Sequence, residues 1–291
     1  MFSLSDPNAV QALLRRHGFH FSKAMGQNFI VDDSVCPQMA AMCGADENTG
    51  VLEVGPGIGV LTRELSFVAK KVAAVELDTR LLPVMKETLG DRDNVRVHNG
   101  DIMKIDVHGL LKEEFPGMPV VVCANLPYYI TSPIIMKLLE EHLPIRALTV
   151  MVQKEAAERI CAAPGTRACG AVSAAVRYYS VPEVLFQVGR DSFMPPPNVD
   201  SAVIRLNIPE TPPYKVKDEA VFFRTVQAAF AQRRKTVLNS VSATMGYPKA
   251  EVQAVMEAVG VVPTARAEQL TMEELVCLAD GMADLIESKA R

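Results

Sequence analysis

The six cysteines, Cys36, Cys43, Cys123, Cys161, Cys169 and Cys277, form no CxxC pair, and the five histidines are just as dispersed. No zinc site or disulfide framework is readable from such spacing, so no metal is expected, and scattered thiols fit a reducing cytoplasm. No apolar run approaches the roughly 20 residues that a membrane-spanning helix needs. The opening MFSLSDPNAV lacks the basic-then-apolar layout of a signal peptide. Internal repeats and low-complexity tracts are missing as well. Positive charge is also short: 30 Lys and Arg against 34 Asp and Glu leave a net charge of −4. That balance disfavours a protein that coats nucleic acid with its whole surface, and leaves such binding to a local patch.

What is present describes a folded chain. Of 291 residues, 49% are hydrophobic and 22% charged, enough for a large domain plus a smaller one. Short β-branched runs alternate with helix-like stretches: VLEV (51–54), VAAVE (72–76), VRV (95–97), VVVCA (120–124) and ALTVMV (147–152). Continuous apolar runs of this kind fit strands buried on both faces, hence a parallel sheet with helical crossovers. Two further runs, VPEVLFQV (181–188) and AVIRLN (202–207), follow with no helix between them and suggest an antiparallel hairpin closing the sheet. The expected fold is an α/β Rossmann-like methyltransferase sheet of seven strands, the last antiparallel, followed by a small all-helical domain. Residues 1–207 form the sheet domain in this reading, with 1–45 an N-terminal covering segment, and the Pro-rich, charged stretch 208–218 is a linker. Residues 219–291 read as helical, with Thr271 and Glu274 spaced as a capping box.

Chemistry begins at VLEVGPGIGVLTREL (51–65), a strand entering a glycine-rich turn and then a helix. Gly55, Gly57 and Gly59 let the backbone turn sharply and approach a ligand closely. The dinucleotide fingerprint GxGxxG wants a third glycine where Val60 stands, so GxGxG favours S-adenosylmethionine over a pyrophosphate cofactor. Glu76, closing the second strand, can accept hydrogen bonds from both hydroxyls of a ribose. Asp101, after the third strand, sits where the adenine of such a cofactor would lie.

NLPYY (125–129) ends the fourth strand, at the sheet edge where ligands bind in open α/β folds. Asn125 offers a carboxamide oxygen. Pro127 lacks an N–H and disfavours helical geometry at Leu126, so nearby carbonyls can stay open to a ligand. Tyr128 supplies a face on which a base can stack. Two acceptors converging on an exocyclic adenine amine, with a ring beside them, are what methylation of that amine requires.

With these motifs the chain resembles the KsgA/RsmA family of 16S ribosomal RNA adenine dimethyltransferases across nearly its whole length. GQNFIVD (26–32), LEVGPGIGVLT, VELD (75–78), NGD, NLPYYITSPII (125–135), QKEAAERI (153–160) and FMPPPNVDSAVIRL (193–206) stand in the family's order and spacing. The resemblance implies a cofactor pocket of Asn28, Ile30, Gly55, Glu76, Asp101 and Asn125, extended to Gln27, Gly57, Leu77 and Ile102. It also implies an acceptor site of Asn125, Leu126, Pro127 and Tyr128, on 16S rRNA in an immature small subunit. Two departures are visible: Asn28 stands where relatives often have His, and Met25 where Leu or Phe is frequent.

A base drawn from an RNA loop must regain stacking in its pocket, and Phe193 is expected to face Tyr128 across the adenine. The competing reading makes Phe193 a core plug under its proline turn. Cations for the RNA are sought at Arg233, Arg234 and Lys235, then at Arg15, Arg16 and Lys23; a plain solvated face is the alternative. Three other functions are weighed. An Erm-type 23S rRNA methyltransferase shares the NxPY core but is usually far more basic. An assembly factor would act by binding rather than catalysis. A NAD-dependent dehydrogenase is disfavoured by Val60. The expected protein is a cytoplasmic, monomeric enzyme.

Overall fold

Residues 4–21 and 27–290 are described in this computed structural model of the protein. The strands are β1 (Phe29–Ile30), β2 (Gly50–Val54), β3 (Lys71–Glu76), β4 (Val95–Asn99), β5 (Val120–Asn125), β6 (Ile145–Gln153), β7 (Val181–Val188), β8 (Phe193–Met194) and β9 (Ser201–Asn207). Seven of them make one sheet in the order β4-β3-β2-β5-β6-β9-β7. The pairs from β4 through to β6 are parallel, while β9 runs antiparallel to β6. The final strand is therefore inserted between β6 and β7 rather than added at the rim. Arg205 on β9 ties the insertion down, pairing with Glu183 of β7 at 2.9 Å and donating to the Met42 carbonyl at 3.1 Å.

Every residue of β2 is buried, as a strand covered on both faces requires. The crossover helices are α3 (Val60–Val68), α4 (Leu82–Thr88), α5 (Val107–Glu114), α6 (Thr131–Glu140) and α7 (Lys154–Cys161), preceded by α1 (Pro7–Arg16) and α2 (Val35–Met42). Met39 of α2 and Leu65 of α3 pack with Val51, Val72 and Cys123 of the strands in one apolar core. From β2 the chain steps one way to β3 and β4, then returns to place β5 on the other side. That reversal opens a crevice at the carboxyl ends of β2 and β5.

The chain divides into two compact units, one reaching to Ala157 and resuming at Pro182–Ile208, the other made of Glu158–Val181 and Pro209–Arg291. The second contains α8 (Ala171–Tyr179), α9 (Glu219–Phe230), α10 (Val237–Met245), α11 (Lys249–Ala258) and α12 (Met272–Ala290). The sequence reading gave 158–181 to the sheet domain; in the structure this segment packs with the helices. The reason is aromatic: Tyr178 stacks on Phe222 at 4.7 Å between centroids, Tyr179 stacks on Phe223 at 5.4 Å, and the Tyr179 hydroxyl donates to Glu219 at 2.6 Å. The expected capping box opens α12, with Thr271 N donating to Glu274 at 2.8 Å and Glu274 N to Thr271 Oγ1 at 3.2 Å. No described helix is long and apolar enough to cross a membrane.

Candidate functional site

After Val54 the chain turns through Gly55, Gly57 and Gly59 at φ of 68°, 63° and 87° before α3 begins. Side-chain-bearing residues rarely adopt such angles, and at Gly57 an added Cβ would also come 3.2 Å from the Phe29 ring. The Gly57 N–H donates to Glu76 Oε2 at 3.1 Å, and Asp78 N to Glu76 Oε1 at 2.8 Å. One oxygen of Glu76 thus braces the glycine turn and the other the chain beyond β3. Burial raises the Glu76 pKa above the usual carboxylate range, and these backbone bonds offset part of that rise. A carboxylate has about four lone-pair positions, so two acceptor positions remain for a ligand.

Glu76 and Leu77 after β3, Asp101 and Ile102 after β4, and Asn125 to Tyr128 after β5 line a single cleft with the glycine turn. Asp101 Oδ1 accepts from Met103 N at 3.0 Å, which fixes the turn and leaves Oδ2 facing Lys104 at 3.6 Å. Gln27, Asn28 and Ile30 close the cleft from the amino-terminal side. Gln27 donates to Asp78 Oδ2 at 2.8 Å, and Asp78 also holds Arg80 at 2.6 Å. The Arg80 partner keeps the Asp78 carboxyl below the usual carboxylate range.

β1 is anchored by a distant segment. Ile30 pairs with Phe193 and Phe29 with Met194 in a two-stranded antiparallel ladder. Val31 N donates to the Ser192 carbonyl at 2.8 Å, and Ser192 Oγ to Asp32 at 2.9 Å. The expected adenine sandwich is corrected here. Phe193 is 3% exposed, belongs to the apolar core and is not part of the cleft lining. Its ring is the core plug of the competing reading, because pairing with Ile30 turns it inward. Lys23, Met25 and Gly26 lie outside the described residues.

At NLPYY the Asn125 side chain and the Leu126 carbonyl have no hydrogen-bond partner among the described residues. The Pro127 carbonyl is occupied, accepting from Ile130 N at 3.2 Å and Thr131 Oγ1 at 3.1 Å. Only the first two acceptors are therefore available to an incoming amine. Tyr128 is half-buried with its hydroxyl 2.6 Å from Ser201 Oγ, and burial raises its pKa.

Two features escaped the sequence reading. Glu53, inside β2, is 1% exposed on the cleft lining, and its Oε2 has no partner. Burial pushes its pKa to about 8, the Thr62 hydroxyl opposing and the charge of Glu76 reinforcing the shift. Tyr129 lies on the same lining, 60% exposed. Among the described residues the lining holds four acids, Glu53, Glu76, Asp78 and Asp101, of which Glu53 keeps its proton near neutral pH, and no Lys or Arg. Such a cleft suits a cationic ligand and resists a phosphate.

The cationic candidates lie elsewhere. Arg233, Arg234 and Lys235 are exposed in the turn after α9, and Arg233 donates to the Arg167 carbonyl at 3.1 Å. Arg15 is exposed with a Gln11 partner at 3.4 Å, while Arg16 pairs with Glu87.

Residues 18–284 match the family described as ribosomal RNA adenine dimethylase. Ribosomal RNA small subunit methyltransferase A of Geobacillus thermodenitrificans (strain NG80-2) is 47% identical over 286 residues, 97% of this chain and 98% of the relative. The protein of that name from Clostridioides difficile (strain 630) is 43% identical over 289 residues, 99% of this chain and 100% of the relative. Among solved structures, the 23S rRNA methyltransferase ErmE has 26% identity and a TM-score of 0.67, covering 88% of this chain and 100% of its own. A dimethyladenosine transferase from Plasmodium falciparum, 24% identical, shares the fold at a TM-score of 0.71, over 89% of this chain and 98% of its own.

Proposed function

The chain belongs to the ribosomal RNA adenine dimethylase family, and from that premise we propose that it dimethylates two adjacent adenosines in the 3′-terminal hairpin loop of 16S rRNA. It is an S-adenosylmethionine-dependent rRNA adenine dimethylase whose substrate is small-subunit RNA. In our reading it meets that RNA as a monomer, in an immature subunit in the cytoplasm. The observation that carries the site assignment is the pair of open acceptors, Asn125 and Leu126, at the end of β5 on the acidic cleft.

The cleft fits the cofactor on its own terms. Glu76 is a buried acceptor with capacity for both ribose hydroxyls, and the glycine turn leaves room for close approach. Asp101 and Ile102 would bracket the cofactor's adenine, and Gln27, Asn28 and Ile30 would cover it. S-adenosylmethionine supplies a methyl group on a sulfonium, which passes to the amine nitrogen as the C–S bond breaks and its electron pair goes to sulfur.

The protein's part is to make the amine a nucleophile. Its lone pair is delocalised into the purine ring. Hydrogen bonds from both amine protons to Asn125 Oδ1 and the Leu126 carbonyl favour a pyramidal nitrogen whose lone pair leaves the ring plane. These bonds strengthen as charge develops on nitrogen, so they act on the transition state more than on the bound substrate. Tyr128 stacks on the ring and holds its plane. The proton shed after transfer is acidic, so no strong base is needed.

Incubation with labelled S-adenosylmethionine and small subunits lacking these methyl groups, followed by nucleoside mass spectrometry, tests the reading. N6,N6-dimethyladenosine from two neighbouring positions of 16S rRNA is expected. Label confined to 23S rRNA, or absent from adenosine, overturns it.

A further inference from the structure

Three aromatic rings line the cleft, and their exposures differ sharply. Phe29 is 7% exposed, Tyr128 is half-buried with its hydroxyl held by Ser201, and Tyr129 is 60% exposed. The 3₁₀ turn Tyr128–Ile130 accounts for the contrast. Its three residues per turn send successive side chains about 120° apart, so the two tyrosines cannot share one direction. One ring goes to the pocket wall and the other to its mouth. Tyr129 makes no hydrogen bond or ring contact with any described residue.

Among the described residues no Lys or Arg belongs to the cleft lining itself. Its described residues include Glu53, Glu76, Asp78 and Asp101, so the lining offers a strand ring faces for its bases rather than cations for its phosphates. Base–aromatic stacking is the interaction left, and an exposed tyrosine face supplies it without sequence reading. With Phe193 in the core, Tyr129 is the one well-exposed ring among the described residues of the cleft.

We propose that Tyr129 is a waiting platform: while one adenine occupies the pocket at Asn125 and Tyr128, its neighbour in the unpaired strand stacks on the Tyr129 ring. The proposal rests on the RNA adenine reading above and adds where the second base goes. Tyr129 is a positioning residue, touching the base that is not reacting. It keeps the loop splayed, so the two adenines exchange places without the strand leaving.

Steady-state methylation of small subunits by wild type, Tyr129→Ala and Tyr129→Phe tests this, with S-adenosylmethionine affinity measured by calorimetry alongside. Alanine substitution at such a stack costs about 5- to 150-fold. For Tyr129→Ala we expect KM for the subunit to rise about tenfold, with kcat for the first methyl within about twofold, while Tyr129→Phe matches wild type. Cofactor affinity and thermal midpoint stay put, as befits an exposed side chain. On subunits reconstituted with an abasic residue beside the single remaining target adenosine, wild type and Tyr129→Ala should converge. An unchanged KM in Tyr129→Ala overturns the platform, and so does a tenfold defect that persists on the abasic substrate. Wild type that leaves adenosine unmethylated overturns the functional reading and this proposal with it.

Discussion

Three carboxyl and amide groups carry the residue-scale predictions. Glu76→Ala should weaken S-adenosylmethionine binding by roughly 1.5–3 kcal/mol, the range for hydrogen bonds to a charged group; calorimetry checks it. Asn125→Ala should lower kcat far more than it weakens cofactor binding, because its bond tightens as the amine pyramidalises. Turnover within a few-fold of wild type would remove Asn125 from that role. Glu53 predicts a pH dependence of stability. Its pKa is about 8 in the folded protein against an ordinary 4.5. Between those values the folded state holds a proton that the unfolded state has released, so stability falls as pH rises through the window and levels off above it. The loss is on the order of 5 kcal/mol at most. Glu53→Gln keeps the shape and removes the titration, so urea unfolding at pH 5 and pH 8.5 should differ less in the variant.

At the scale of elements, the sheet was legible because its strands are continuous apolar runs, and each expected run became a strand of it. The glycine turn was legible because three closely spaced glycines announce left-handed backbone. The β1–β8 ladder was not. Each arm is two residues long, too short for any periodicity, and the arms lie more than 160 residues apart. Phe193 therefore looked like a ring for a ligand when its partner, Ile30, makes it a ring for the core. Phe193→Ala should cost about 3–5 kcal/mol of unfolding free energy, as for a buried aromatic, measurable by denaturant titration. A loss below 1 kcal/mol would return the ring to the cleft. The segment 158–181 escaped for a similar reason: Tyr178 and Tyr179 meet Phe222 and Phe223 only in three dimensions. Glu53 was hidden inside a strand motif, where nothing in the local pattern separates a buried carboxyl from an exposed one.

For the whole molecule, the cleft belongs to the first unit of the chain, and the cationic candidates Arg233, Arg234 and Lys235 belong to the second. Neutralising the three together should weaken RNA capture and flatten the slope of log affinity against log salt by about 2, the counterion release of three single-strand contacts. Cofactor affinity should not change. Filter binding across a salt series decides it, and superimposable slopes would move the search to Arg15 and Arg16. The acids of the cleft have a consequence for turnover. A dimethylated amine consumes two donors, so each target requires the spent cofactor to leave and a fresh one to enter. Methyl transfer erases the donor's sulfonium charge and leaves a neutral thioether in the cleft. The reaction thus weakens the attraction of an acidic cleft for its own donor, which favours exchange of spent cofactor for fresh.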